Sequence, residues 1–171
     1  MSFNTAPVIK RAEWCLRITG LVDRPVTLGW KELITLPTTK LSMDFHCVTQ
    51  WSKLDMLWEG VKVQEVIDQA GLSPKARYVM VHCYDGYTTN LDLEFLMNSQ
   101  SLLAHSLEGE ALKTEHGGPV RLLVPERYGW KSAKWIQRVE VMEENIPGFW
   151  ESYGYHMRGN PWNEERFELA D

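Results

Sequence analysis

Apolar positions along this chain repeat with two periods, and the switches between them divide it into short elements. Trp14, Leu16 and Ile18 alternate with Cys15, Arg17 and Thr19, the period of a half-buried strand, and Gly20 ends it. Arg24-Pro25 marks a turn ahead of a short strand at 26–28. Trp30, Leu33 and Ile34 then fall at helical spacing and stop before Pro37. Alternation returns over 39–46 and delivers Cys47 at a strand end. Val63, Val66, Ile67 and Ala70 form an i, i+3, i+4, i+7 stripe with Gly71 as its stop. Residues 77–83 are β-branched and aromatic, and Asp85-Gly86 turns them into a hairpin with a strand at 87–91. Asp92 is placed to cap a short helix holding Phe95 and Leu96. Further strands are expected at 102–106, 120–124 and 134–142. The pattern predicts an α+β protein, mostly β with three short helices.

Beyond Ile146 periodicity dissolves, yet Trp150, Tyr153, Tyr155 and Trp162 recur among Pro147, Gly148, Gly154, Gly159 and Pro161. A disordered tail would be poor in aromatics, so 146–171 is expected to be an extended segment packed on one domain spanning 1–171. The chain length supports one sizeable core. A net charge of −5 gives no electrostatic reason to expect a nucleic-acid partner. No apolar run is long enough to cross a membrane, and the N-terminus lacks a secretion-signal pattern. Cys15, Cys47 and Cys83 are too few, and odd in number, for a disulfide framework. A reducing, cytoplasmic setting is therefore the expectation.

Two stretches carry candidate chemistry. His46-Cys47 and His82-Cys83 suggest a zinc site, but neighbours on a strand point to opposite faces and no short Cys-to-Cys spacing is present. A buried free cysteine is the commonest role for Cys47 on composition. A thiolate nucleophile aided by His46 or His116 is a further option. The second stretch runs through His116-Gly117-Gly118-Pro119-Val120-Arg121 to Lys131-Ser132-Ala133-Lys134-Trp135. Its glycines permit close backbone approach, and its cations suit phosphate or another oxyanion. Arg121 sits among Val120, Leu122, Leu123 and Val124, where a buried charge needs a partner.

Taken together, these motifs resemble the sulfite oxidase family of molybdenum–molybdopterin proteins. His46-Cys47-Val48-Thr49-Gln50-Trp51-Ser52, with Trp58-Glu59-Gly60-Val61, is similar to the family's metal-binding segment. The 116–121 and 132–135 stretches look like its pterin-binding segments. The likeness covers about 14–167, in order, and is greatest to small bacterial sulfite oxidase-like oxidoreductases. It implies the sulfite oxidase-type molybdopterin-binding fold and a molybdenum cofactor. Cys47 would be the thiolate ligand of the metal beside the pterin's dithiolene sulfurs. His46, Cys83, His116, Arg121, Ser132, Ala133 and Lys134 would contact the cofactor. Tyr87 and Lys131 would orient the substrate, with Arg127, Tyr128 and Trp130 at the entrance. The implied activity is two-electron oxygen-atom transfer to or from a small sulfur- or nitrogen-centred substrate, with an unidentified electron donor or acceptor. Two departures detach sulfite from this expectation. Val48-Thr49-Gln50-Trp51 follows the cysteine where sulfite oxidases have an arginine, and Lys131 stands where they have an anion-binding arginine. The alternative is a non-catalytic cofactor-binding or carrier module, which would hold cofactor without turning over S-oxides or N-oxides.

Overall fold

The computed structural model describes residues 4–168 and contains two antiparallel-rich sheets and three short helices. In chain order the elements are β1 (Cys15–Gly20), β2 (Val26–Gly29), α1 (Trp30–Leu33), β3 (Thr38–His46), β4 (Ser52–Lys62) and α2 (Val63–Ala70). They continue with β5 (Tyr78–Cys83), β6 (Thr88–Asp92), α3 (Leu93–Leu96), β7 (Leu102–Leu107), β8 (Glu110–Ala111), β9 (Arg121–Leu123) and β10 (Ile136–Met142). The first sheet has the order β2-β1-β10-β5-β6, with only β1 and β10 parallel. The second has the order β3-β4-β7-β8, and β9 also pairs with β7.

Alternation in the first sheet does what its sequence pattern predicts. Trp14, Leu16 and Ile18, then Val79 and Val81, then Val139 and Val141 are all buried on its inner face. α2 turns Val63, Val66, Ile67 and Ala70 into the same cluster, and Val61, Leu103 and Leu122 reach it from the second sheet. An eight-residue helix is too short to be stable alone, so this burial holds it. The central strands of the second sheet are covered on both faces. Leu103 and Leu122 enter the main core, whereas Leu102, Ala104 and Leu123 join Met56, Trp58 and Leu112 in a smaller cluster on the other face. The aligned faces of β9 therefore place Arg121 beside Leu123 and over the smaller cluster.

The structure differs from the sequence reading in several places. β4, an eleven-residue strand, has no counterpart in the predicted elements. Tyr87 lies in the turn before β6 rather than within the strand. Asp92 precedes α3 but makes no side-chain capping hydrogen bond; its carboxylate lies 3.8 Å from Arg158 Nε. The C-terminal segment folds back on the domain, with short 3₁₀ turns at Glu151–Tyr153 and Pro161–Asn163. Its Phe149 N–H donates to the Thr88 carbonyl (2.9 Å) and so covers the open edge of β6.

Candidate functional site

The turn joining β3 to β4 presents the thiol. The Cys47 N–H donates to the Trp51 carbonyl at 2.9 Å, and the Gln50 N–H donates to the Cys47 carbonyl at 3.1 Å. Gln50 takes the reversal at φ 68°. His46 and Ser52 close the strand pair, with Nδ1 and Oγ 2.7 Å apart. Cys47 Sγ lies 3.1 Å from Thr49 Oγ1. Beneath this turn the chain from 128 to 130 packs closely: the Gly129 N–H donates to the His46 carbonyl at 2.7 Å. A Cβ on Gly129 would stand 2.4 Å from Phe45 Cζ, so only glycine allows this approach.

Cys47 opens onto a cavity of about 410 Å³, a size typical of small-molecule sites at ~300–1,000 Å³. β3 and β4 contribute Phe45, Met56 and Trp58; the 129–135 loop contributes Trp130, Ser132, Ala133, Lys134 and Trp135; the C-terminal segment adds Trp150 and Tyr155. Arg121 forms part of the wall while being only 5% exposed. Its guanidinium donates to the carbonyls of His116 (3.0 Å) and Ser132 (2.7 Å) and lies between the rings of Phe45 and Trp58, 5.4 and 5.5 Å from their centroids. Nε has no hydrogen-bond partner, and among the described residues no carboxylate pairs with this cation. Burial pulls its pKa down to about 10. A buried cation that lacks a counter-charge is costly, so the cavity is built to receive an anion.

Neighbouring groups complete a cradle. Lys134 Nζ donates to the Glu115 carbonyl (2.7 Å), and burial, then Arg121, lowers its pKa. Gly117 adopts φ +101°, and a Cβ there would lie 3.0 Å from the Cβ atoms of both Arg121 and Lys134. Ser132 Oγ accepts from the Val124 N–H (3.0 Å), which fixes the strand end against the loop. Tyr87 is buried on the wall and its hydroxyl donates to the Trp130 carbonyl (2.8 Å). Burial, with Glu151 nearby, raises its pKa well above 10, so the phenol stays protonated.

Thus Cys47, Tyr87, His116, Arg121, Ser132, Ala133 and Lys134 share one cavity. The other three singled-out residues do not reach its wall. His46 lies on the far side of the Cys47 turn, edge-on to Trp162 at 4.9 Å. Cys83 is 4% exposed in the main core, and burial raises its pKa. Lys131 has a fully buried ammonium that donates to the Asn90 carbonyl (2.8 Å), Asn90 Oδ1 (2.9 Å) and Glu151 Oε1 (2.6 Å). All three of its protons are used there. Of the residues placed at the entrance, Trp130 lines the cavity, whereas Arg127 stacks on Phe95 (3.4 Å) and Tyr128 on Trp130 (5.3 Å). Sequence reasoning quoted Trp58 within the segment similar to the family's metal-binding one but gave it no role, and it missed Lys53 on β4 and the carboxylate of Glu151, which also accepts from Trp130 Nε1 (3.0 Å). Only the aromatic spacing around Glu151 hinted that its segment packs inward. Among the described residues no group of three His, Cys, Asp or Glu side chains is placed to hold a metal. No helix among them is long and apolar enough to cross a membrane.

Comparison with known proteins shows the family of the chain. The model of the oxidoreductase molybdopterin binding domain family matches residues 3–150. An uncharacterized oxidoreductase of Bacillus subtilis, YuiH, is 45% identical over 91% of this chain and 78% of its own length. The catalytic subunit of the protein-methionine-sulfoxide reductase MsrP from Gluconobacter oxydans is 31% identical over 86% of this chain, and the chain spans 54% of that subunit. Among solved structures, the sulfane dehydrogenase SoxCD from Paracoccus pantotrophus superposes with a TM-score of 0.75 at 24% identity, covering 81% of this chain and 40% of that one. That likeness identifies the sulfite oxidase-type fold.

Proposed function

Because the chain belongs to the oxidoreductase molybdopterin binding domain family, we propose that Cys47 is the protein's ligand to molybdenum and that the enzyme moves an oxygen atom to or from a small sulfur- or nitrogen-centred substrate. The protein is an oxidoreductase, and its cofactor is the molybdenum-bearing pterin. The observation that carries the finer reading is the position of the Cys47 thiol on the same cavity as Arg121, a buried cation with no carboxylate partner among the described residues. The donor set fits the group: a soft thiolate suits molybdenum in sulfur-rich ligation, and the cations suit an anionic pterin.

When bound, the cofactor supplies the two-electron redox change and the oxygen exchange with water. The remaining work falls to the chain. Arg121, with its unpartnered Nε, and Lys134 would hold the anionic part, and Gly117 keeps the cradle free of side-chain atoms. Tyr87 retains its proton, holds the Trp130 carbonyl, and keeps acceptor capacity on its oxygen. Trp51, Trp130, Trp150 and Tyr155 bring apolar rings to the cavity and limit water there. Lys131 is assigned no substrate contact, since its donors are spent on Asn90 and Glu151.

Expression with molybdate in a host that makes the pterin tests the reading. Molybdenum and pterin fluorescence should accompany the folded protein, and reduced viologen should drive turnover of S-oxides or N-oxides. Cys47→Ser, nearly isosteric, should abolish turnover and leave the fold intact. Unchanged turnover in that variant would remove Cys47 from the role.

A further inference from the structure

The turn that carries Cys47 is held from outside by a segment that lies beyond the family-matched region. Residues 151–168 follow the match at 3–150, and from 155 to 167 they form a closed strap. Tyr155 and Phe167 pair as a β-bridge with their rings 5.0 Å apart. The His156 N–H donates to the Arg166 carbonyl (3.2 Å), and the Glu165 N–H donates to the Asn160 carbonyl (3.0 Å). The strap is fixed to the body where the Tyr128 N–H donates to the Gly159 carbonyl (2.8 Å).

Two side chains reach from this strap to the turn: the Trp162 ring stands edge-on to His46 at 4.9 Å, and Arg166 makes a hydrogen bond to the turn's backbone. Arg166 Nη1 donates to the Val48 carbonyl at 2.5 Å, 118 residues away in sequence. Glu164 Oε2 accepts from Arg166 Nε at 2.8 Å, and the guanidinium carbon sits 4.9 Å from the centroid of the Tyr128 ring. Three independent contacts therefore fix a side chain that is itself only 20% exposed. On the other side of the same turn, Gly129 holds the His46 carbonyl at 2.7 Å. Cys47 thus lies between two carbonyls, 46 and 48, each tied to a different part of the chain, and those two parts stack on each other through Tyr128. A charge-assisted hydrogen bond is about twice as strong as a neutral one, so the Arg166 contact is the stiffer of the two.

We infer that Arg166 is a positioning residue for the Cys47 turn: the C-terminal strap acts through it to hold the thiol at the cavity. This inference rests on Cys47 being the metal ligand for its catalytic consequence, but the ordering of the turn is measurable without cofactor. The first readout is the rate at which iodoacetamide alkylates Cys47 in cofactor-free protein, followed by peptide mass mapping so that Cys15 and Cys83 are scored separately. Arg166→Ala should raise the Cys47 rate by about tenfold, the factor one charged hydrogen bond is worth, and leave the rates at Cys15 and Cys83 unchanged. Arg166→Lys keeps a donor and a charge and should recover part of the wild-type protection. In the loaded enzyme Arg166→Ala should lower kcat with KM nearly unchanged and shift the visible absorption of the metal–thiolate chromophore. Equal alkylation of Cys47 in wild type and Arg166→Ala would overturn the inference, as would a rise of the same size at all three cysteines. Should Arg166→Ala fail to fold, Glu164→Gln, which loosens the guanidinium from outside, should raise the Cys47 rate by a smaller factor; no rise in that variant counts against the proposal. A failed metal analysis together with a tenfold alkylation effect would sink the ligand reading and leave the positioning role standing.

Discussion

Arg121 shows how far single residues could be read and where reading stopped. A lone charge within an apolar strand signals a partner, but the partners are two backbone carbonyls and two rings, and carbonyls leave no mark in a sequence. Magnitudes give the role of this residue a test. Lowering its pKa from 12.5 to about 10 corresponds to roughly 3 kcal/mol of destabilisation at neutral pH. Freeing the carbonyls of His116 and Ser132 costs about 1–3 kcal/mol each. The two effects oppose, so Arg121→Met should change the stability of cofactor-free protein by no more than about 3 kcal/mol in urea denaturation. Its loss of pterin, measured by fluorescence after denaturation, should be nearly complete. A variant that keeps its pterin would show that this cation serves packing alone. Gly117→Ala makes the complementary case. The left-handed backbone alone costs about 1–2 kcal/mol, and the new Cβ crowds Arg121 and Lys134, so both melting temperature and pterin content should fall. Lys131 marks the opposite limit. Its place beside Trp130 suggested a substrate contact, and nothing in the sequence tied it to a carboxylate twenty residues onward.

The elements most legible in the sequence were those with one clean period. β1 alternates without interruption and α2 carries an unbroken helical stripe, while β5, where Val79, Met80 and Val81 are all buried, was legible from its β-branched and aromatic residues instead. β4 did not announce itself. Leu54 and Leu57 are exposed while Met56 and Trp58 are buried, Asp55 takes φ 53°, and the register shifts between Met43 and Phe45 on the β3 side and between Glu59 and Gly60 on the β7 side. Bulges of this kind break the two-residue period on which strand reading depends. On β5 the strand sends His82 and Cys83 to opposite faces. His82 faces outward, 3.0 Å from Glu140 and 2.9 Å from Arg138, and Cys83 enters the core. This face gives a pH dependence. Burial lowers the pKa of His82 below 6.5, with Glu140 opposing, and burial also lowers that of His105. The unfolded chain then binds these protons more readily, so stability falls as pH drops through 6.5. Melting temperatures between pH 7.5 and 5 should decline less steeply in a His82→Gln, His105→Gln double variant; parallel curves would assign the acid sensitivity to other groups.

At the scale of the whole molecule, the anchor of the C-terminal segment left no mark in the sequence. Glu151 enters the interior and its Oε1 accepts from Thr89 Oγ1 (2.7 Å), Trp130 Nε1 (3.0 Å) and Lys131 Nζ (2.6 Å). Removing one partner of such a pair leaves a buried charge, a loss of about 3–5 kcal/mol, whereas replacing both is far cheaper. Lys131→Met should therefore destabilise strongly in urea, and Lys131→Met with Glu151→Leu should recover most of the loss; additive losses would mean that the pair is not coupled. Anchored in this way, the segment brings Trp150 and Tyr155 to the cavity and Arg166 to the Cys47 turn. Sheets, loop 116–135 and tail thus converge on the Cys47 thiol and the buried Arg121 guanidinium. The central claim is that this thiol binds the metal. X-ray absorption at the molybdenum edge, on loaded wild type and Cys47→Ser, addresses it directly. The account predicts one fewer sulfur neighbour around molybdenum in the variant, and an identical sulfur count in both proteins would contradict it.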